Sequence, residues 1–209
     1  MTSLSPKAER LALLLMDLGE RAIIIIFFAA FVIRVGGSLA GNPFNVITLI
    51  SDGLVVLFIL IRRPSQLVST RPLDWVLAMG GTLAPLMVAP HLNPLAPIEV
   101  GAMIMLAGLI CGLWAKVSLQ RSFGIAPANR GIIEAGPYRI VRHPMYAGYI
   151  LVYIGFLLNN PSLRNLAVYA IAVGLQVARI LAEERILSQD PDYQAMMGRV
   201  RYRLIPGIF

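Results

Sequence analysis

Six apolar runs, most of them near the length of a membrane-spanning helix, constrain this chain more than any other feature. They lie at residues 21–40, 44–61, 73–90, 98–119, 145–159 and 163–182. A helix needs about 20 apolar residues to cross a bilayer core of about 30 Å, so the run at 145–159 is short for a span. The Asn-Asn-Pro-Ser turn at residues 159–162 predicts that the last two runs form an antiparallel hairpin. The sequence therefore predicts an all-α, integral membrane, multi-pass bundle of about six transmembrane helices.

The composition argues against an ordinary soluble domain and against a nucleic-acid partner. Charged residues make up 14% of the chain and apolar residues 57%, whereas an average soluble domain is about 25% charged. The net charge of +7 is typical of nucleic-acid-binding proteins, but most of the positive residues fall between the apolar runs. That distribution is the pattern of membrane topology.

The basic residues also predict which way the chain crosses the membrane. Every second connecting segment is basic, and the three remaining loops together hold one arginine, Arg164. The positive-inside rule then places both chain ends, the stretch before Pro144 and the tail after the sixth run in the cytoplasm. The first 20 residues read as an interfacial amphipathic helix leading into the first run. Arg34, inside that run, is not explained by this scheme.

Metal and disulfide chemistry are not expected. Cys111 is the only cysteine, and the topology places the two histidines, His91 and His143, on opposite sides of the membrane. We therefore predict no metal site and look for function among the polar residues of the cytoplasmic side. Residues 1–114 form an N-terminal membrane region, and residues 115–209 contain the polar segments that could build a site.

The stretch GPYRIVRHPMYAGY, residues 136–149, concentrates charge just before the fifth run. Pro144 restricts His143 toward extended geometry and suits the first position of the helix that follows. A helix N-terminus carries partial positive charge and free N–H groups, which favour a carboxylate or phosphate. Helix capping alone is the alternative interpretation of His143.

The sixth run ends in a second polar motif. Arg179 and Glu183 are four residues apart, so they share one helix face. Glu183 and Glu184 point about 100° apart, so they are not expected to face the same pocket. The sequence leaves two interpretations open, a local ion pair at the bilayer edge or a functional pair.

These motifs, together with V-R-Y-R-L-I-P near the C-terminus, resemble the isoprenylcysteine carboxyl methyltransferase family. The wider group includes phospholipid methyltransferases, and the resemblance covers about residues 115–209. It implies a cytoplasmic S-adenosylmethionine pocket capped by the tail and a lipophilic or lipidated acceptor taken from the membrane lipid. Two residues have implied catalytic roles, Arg179 on the acceptor side and Glu183. The implied cofactor-binding residues are Ile132, Ile133, Gly136, Tyr138, Arg142, His143, Pro144, Met145, Tyr146, Glu183 and Glu184.

Two alternatives stay open at this level. The tail YRLIPGIF also resembles the end of NADPH-dependent sterol reductases, but Met145 and the pair Glu183–Glu184 favour methyl transfer. A non-enzymatic membrane scaffold would explain the hydropathy but not the clustering of polar residues. Where the methyltransferases often carry a histidine before the apolar pair, this chain has Arg130 and Gly131. The sequence predicts neither the acceptor atom nor the oligomeric state.

Overall fold

The computed structural model describes residues 6–61, 71–91, 93–119, 129 and 131–209. Within these ranges the chain forms seven α-helices, which confirms the all-α prediction. They are α1 (Pro6–Gly36), α2 (Val46–Ile61), α3 (Pro72–Leu83), α4 (Ile98–Leu119), α5 (Pro144–Asn159), α6 (Leu163–Leu187) and α7 (Pro191–Arg199). Short 3-10 helices occupy Pro43–Asn45, Ala84–Met87 and Gly136–Arg139.

Three helices of the described chain are long and apolar enough to cross a membrane. They are Pro43–Ile61, Ile98–Leu119 and Leu163–Leu187, and α5 is a shorter apolar helix of 16 residues. The structure thus supports a multi-pass membrane protein with three candidate spans, and the expected total of six is not shown. The apolar run 73–90 is not one α-helix, because α3 ends at Leu83 and a 3-10 helix containing Pro85 follows it. Proline lacks the N–H that would continue the helical hydrogen bonds.

The first helix differs from its prediction at both ends. The expected interfacial segment and the first apolar run form one helix, α1, of 31 residues that ends at Gly36. At 1.5 Å per residue its length is about 46 Å. The helix is therefore longer than a bilayer core of about 30 Å, and only part of it can lie in the hydrocarbon.

Hydrogen bonds join the three loops that are poor in basic residues. The His91 N–H donates to Asn160 Oδ1 at 3.1 Å, and Asn160 Nδ2 donates to Asn45 Oδ1 at 2.9 Å. Asn165 Nδ2 donates to the Ala89 carbonyl at 2.8 Å. These contacts place the loops after α1, α3 and α5 at the same end of the bundle, as the alternation of basic segments predicts.

Arg34, whose charge the predicted topology does not explain, makes its hydrogen bonds at the same end of the bundle. Arg34 Nε donates to the Val88 carbonyl at 2.8 Å, and Arg34 Nη2 donates to the Leu86 carbonyl. The last carbonyls of a helical segment lack partners within that segment. Arg34 supplies donors to them and so links α1 to the end of the 3-10 helix that follows α3.

Small residues allow α4 and α5 to cross at close range. A Cβ atom added to Gly108 would lie 2.6 Å from the Gly148 carbonyl oxygen, and one added to Gly155 would lie 2.4 Å from the Gly101 carbonyl oxygen. The backbones of α4 and α5 therefore approach each other directly at these glycines. Gly36 differs from them, since nothing lies within 4 Å of the position of its Cβ.

The tail after α6 folds back onto the segment before α5. The Arg142 N–H donates to the Tyr202 carbonyl at 2.9 Å, and the His143 N–H donates to the Arg203 carbonyl at 2.8 Å. Arg199 of α7 pairs with Glu134 through two hydrogen bonds of 2.9 and 2.5 Å, and this contact lowers the pKa of Glu134. The histidine motif and the tail therefore form one packed unit at the end of the bundle opposite the three loops.

Candidate active site

The N-terminus of α5 agrees with its prediction at Pro144 and differs from it at His143. Pro144 begins the helix, whereas the preceding residue His143, expected to be extended, has φ −129° and ψ 56° and is neither extended nor helical. The His143 side chain makes no hydrogen bond to the helix N-terminus, so it does not act as the cap. It is buried, with 6% exposure, and points toward the two acids of α6.

Glu183 lies among groups from α5 and α6. The Tyr146 hydroxyl donates to Glu183 Oε1 at 2.7 Å, and Arg179 Nε donates to the same oxygen at 3.1 Å. His143 Nδ1 lies 3.8 Å from Glu183 Oε2. The predicted shared face of Arg179 and Glu183 is confirmed. The Glu183 side chain keeps 19% of its surface exposed, so it can still contact a ligand.

Glu184 has a different set of partners, which bind the tail. Arg142 Nε donates to its Oε1 at 2.8 Å, and Arg203 Nε donates to its Oε2 at 2.7 Å. His143 Nε2 lies 3.3 Å from Oε1, and the Tyr193 hydroxyl donates to the same oxygen at 3.4 Å. A buried carboxylate is tolerated when cations and hydrogen-bond donors surround it. Glu184 therefore fastens the tail to the histidine motif.

Arg142 completes this connection. Its Nη1 donates to the carbonyl oxygens of Val200 and Arg201 at 2.9 and 3.0 Å. Together with the bond from Nε to Glu184, two of its three nitrogens are engaged within the protein. The contact of Arg142 and Glu184 with a cofactor remains a prediction, but their contacts within the protein give them a positioning role.

Sequence reasoning missed two members of this cluster, Tyr193 and Arg203. Burial, and then the negative charge of Glu184, raise the pKa of Tyr193, so its phenol stays protonated and donates. The motif V-R-Y-R-L-I-P contains Arg203 and could have indicated it. Nothing in the spacing of that motif shows which arginine turns inward, because this depends on how the tail folds back.

An open cavity lies next to the cluster, between the membrane helices. Three of the predicted site residues, Met145, Tyr146 and Arg179, line its wall. The Arg179 guanidinium carbon lies 5.6 Å from the centroid of the Tyr146 ring, which is within range of a cation–π contact. The cavity thus connects the acid–arginine pair to the interior of the bundle.

The remaining predicted residues lie before α5. Tyr138 is buried in the 3-10 helix Gly136–Arg139, where burial and then the charge of Glu183 raise its pKa. Gly136 has φ 57°, and a Cβ there would lie 2.5 Å from Ser118 Oγ, so the position requires glycine. Ile132 and Ile133 are half-buried, and Ile132 packs against the core. The structure brings this segment next to the cluster, and its cofactor-binding role remains a prediction.

The fold and the cluster define a class, an α-helical membrane protein with a polar site at one end of its bundle and a cavity beneath it. Residues 97–190 match the family model described as phospholipid methyltransferase. The matched stretch is a little under half of the chain and includes His143, Tyr146, Arg179, Glu183 and Glu184. No curated protein matches the chain.

This match confirms the methyltransferase class, with S-adenosylmethionine as the cofactor of the matched family. It supports the wider group that the resemblance names. The similarity is to phospholipid methyltransferases within the wider group, and it does not single out the isoprenylcysteine carboxyl methyltransferases. The match begins just before α4 and ends just before α7, so it leaves out the N-terminal helices and the tail.

Proposed function

We propose that this chain is an integral membrane enzyme that transfers a methyl group from S-adenosylmethionine to a lipophilic acceptor held in the membrane. The observation that carries the proposal is the position of Tyr146, Arg179 and Glu183. They lie within the matched segment, contact one another, and adjoin a cavity between membrane helices. Acceptors to be considered are phospholipids, as in the description of the matched family, and lipidated thiol acids, as in the isoprenylcysteine carboxyl methyltransferases.

The charges of the cluster fit the charges of the cofactor. S-adenosylmethionine has a carboxylate, an ammonium and a sulfonium, and when bound it supplies an electrophilic methyl group. We assign the carboxylate to His143 and the N-terminus of α5, where free N–H groups and partial positive charge favour an anion. We assign the ammonium to Glu183, whose carboxylate is partly exposed. Ile132, Ile133, Gly136, Tyr138, Pro144, Met145 and Tyr146 would shape the rest of the pocket.

Arg179 is proposed to orient the acceptor. It is 95% buried, and its guanidinium lies between Glu183 and the Tyr146 ring at the cavity wall. A planar guanidinium can hold a carboxylate or phosphate group by two hydrogen bonds. A carboxylate acceptor needs no general base, whereas an ammonium acceptor must lose a proton before it can attack.

The tail contributes by covering the site. Arg142 and Glu184 fix it to the histidine motif, which limits the access of water to the reacting groups. We place this end of the bundle in the cytoplasm because the basic segments lie there. In this proposal residues 115–209 contain the methyltransferase site, and residues 1–114 anchor it in the membrane.

The test is to compare ligands on the detergent-purified protein. S-adenosylhomocysteine should raise the melting temperature, because a ligand selective for the native state stabilises it by about 2.7 kcal/mol at 100 times its Kd. NADPH at the same concentration should leave the melting temperature unchanged. A shift in melting temperature with NADPH and none with S-adenosylhomocysteine would indicate a reductase instead of a methyltransferase.

A further inference from the structure

A single carboxylate, Asp52 of α2, reaches the cavity from the half of the chain that the family match does not cover. It lies inside a candidate membrane span. Among the described residues it has no hydrogen bond or ion pair, and it is partly buried in the cavity wall. An ionisable residue inside a membrane span is costly and marks a functional site unless a partner satisfies it.

Three tyrosines of α5 line the same cavity as Asp52. Tyr146, Tyr149 and Tyr153 are spaced by three and four residues, so they lie along one helix face. The faces of aromatic rings attract cations, and aromatic groups around a carboxylate are a common way to bind an ammonium group. The Tyr149 ring already makes such a contact, since Lys116 Nζ lies 4.7 Å from its centroid.

We propose that Asp52, with Tyr146, Tyr149 and Tyr153, forms a subsite for a cationic nitrogen group on the acceptor. This inference rests on the proposed function for the reaction, but it assigns the selection of the acceptor to a residue of the N-terminal half. Arg179 lines the same cavity, so the wall offers one charge of each sign to the acceptor. The subsite favours a lipid that carries an ammonium group over a lipid whose only charge is negative.

A purely structural role for Asp52 makes a different prediction. Lys116 is 99% buried in α4, and its charge attracts that of Asp52, although the two do not form an ion pair. Asp52 could therefore serve only to offset the buried charge of Lys116. Removing both charges separates the two roles, because the double variant Asp52→Asn, Lys116→Met has no charge left to offset.

The experiment measures ligand binding without turnover. The purified protein in neutral maltoside micelles is titrated with decylamine, decanol and decanoate, and the melting temperature is followed. Decylamine is protonated at pH 7, since alkylammonium groups have a pKa of about 10.4. It should raise the melting temperature of the unmodified protein at a lower concentration than decanol or decanoate.

The variants then test whether Asp52 causes the shift in melting temperature with decylamine. In Asp52→Asn and in the double variant, the decylamine concentration for half of the shift should rise about tenfold or more, which corresponds to about 1.4 kcal/mol. Thr48→Val is the matched control, because Thr48 lies one turn earlier on α2 and its buried hydroxyl has no partner among the described residues. It should bind decylamine as the unmodified protein does.

Three results would contradict the proposed subsite. The first is an equal shift in melting temperature with decylamine and decanol in the unmodified protein. The others are an unchanged decylamine response in Asp52→Asn and a decylamine response of the double variant equal to that of the unmodified protein. S-adenosylhomocysteine is titrated in parallel and should bind all variants alike. If Asp52→Asn alone does not fold, the double variant, which buries no unpaired charge at this place, decides the outcome. Loss of S-adenosylhomocysteine binding in the unmodified protein would count against the proposed function and leave the decylamine comparison valid.

Discussion

Glu183 and Glu184 are neighbours on α6, yet their carboxylates contact different parts of the molecule. Glu183 bonds to Tyr146 and Arg179 at the cavity wall, and Glu184 bonds to Arg142 and Arg203 in the tail. The angle of about 100° between adjacent helical residues explains the separation. His143 lies between the acids, with one ring nitrogen near each of them.

This division gives a prediction for the two acids. Glu183→Gln should weaken the binding of S-adenosylhomocysteine by about 1.5–3 kcal/mol, the range for hydrogen bonds to a charged group. Glu184→Gln should instead lower the melting temperature, because it leaves the buried Arg142 guanidinium without its counter-charge. Calorimetric titration and thermal unfolding of both variants measure the two effects. If Glu184→Gln loses affinity while Glu183→Gln keeps it, the assignment of the acids is reversed.

Arg179 allows a second prediction at the residue scale. Arg179→Lys should leave S-adenosylhomocysteine affinity nearly unchanged, because Arg179 is assigned to the acceptor. Turnover should fall about tenfold to 100-fold, since lysine replaces the planar fork with a point charge and a misplaced reactant reduces the rate by up to about that factor. The measurement uses the best acceptor from a panel of phospholipid amines, prenylated thiol acids and small thiols. A local ion pair with Glu183 would instead accept lysine, and turnover would then be equal to that of the unmodified protein.

At the scale of helices, the crossing of α4 and α5 depends on glycines. Gly108 meets the backbone of Gly148 and Val152, where neither partner can move as a flexible side chain can. Close approach through small residues is the usual way for helices to associate in a membrane. The crossing matters for function because α5 carries His143 and Tyr146 at one end and therefore sets the position of the site.

Alanine substitutions at a closely packed glycine and at an open glycine test this dependence. Gly108→Ala should destabilise the protein by about 1–3 kcal/mol, the range for overpacking a filled interface. Gly174→Ala on α6 is the matched control, because nothing lies within 4 Å of its Cβ position. Alanine there should leave stability unchanged or raise it by up to about 1 kcal/mol through helix propensity. Thermal unfolding in one detergent compares the two, and equal stability would show that the crossing tolerates a methyl group.

At the scale of the whole molecule, the sequence predicts relations along the chain better than relations between distant segments. The runs that form α2, α4 and α6 and the pair Arg179–Glu183 depend on local spacing, and the structure agrees with them. Arg203 and Tyr193 could not be assigned, because their partner Glu184 becomes a neighbour only when the tail folds back. Arg34 is similar, since its acceptors at Leu86 and Val88 are more than fifty residues away.

The orientation of the whole molecule is the last prediction, and accessible cysteines can test it. Leu95 is exposed beside the loops that are poor in basic residues, and Ala195 is exposed on α7 in the tail. In a Cys111→Ala background, cells carrying Leu95→Cys should react with a membrane-impermeant maleimide from outside. Cells carrying Ala195→Cys should react only after permeabilisation, because the positive-inside rule places the basic tail in the cytoplasm.

The control for this labelling is Ile180→Cys, since Ile180 is fully buried and should react in neither condition. Positions 42 and 160 are less suitable external sites, because Asn42 and Asn160 are buried in the structure. External labelling of Ala195→Cys, without labelling of Leu95→Cys, would show that the protein has the opposite orientation in the membrane. The cluster around Glu183 would then face away from the cytoplasmic pool of S-adenosylmethionine, and the proposed reaction would lose its source of cofactor.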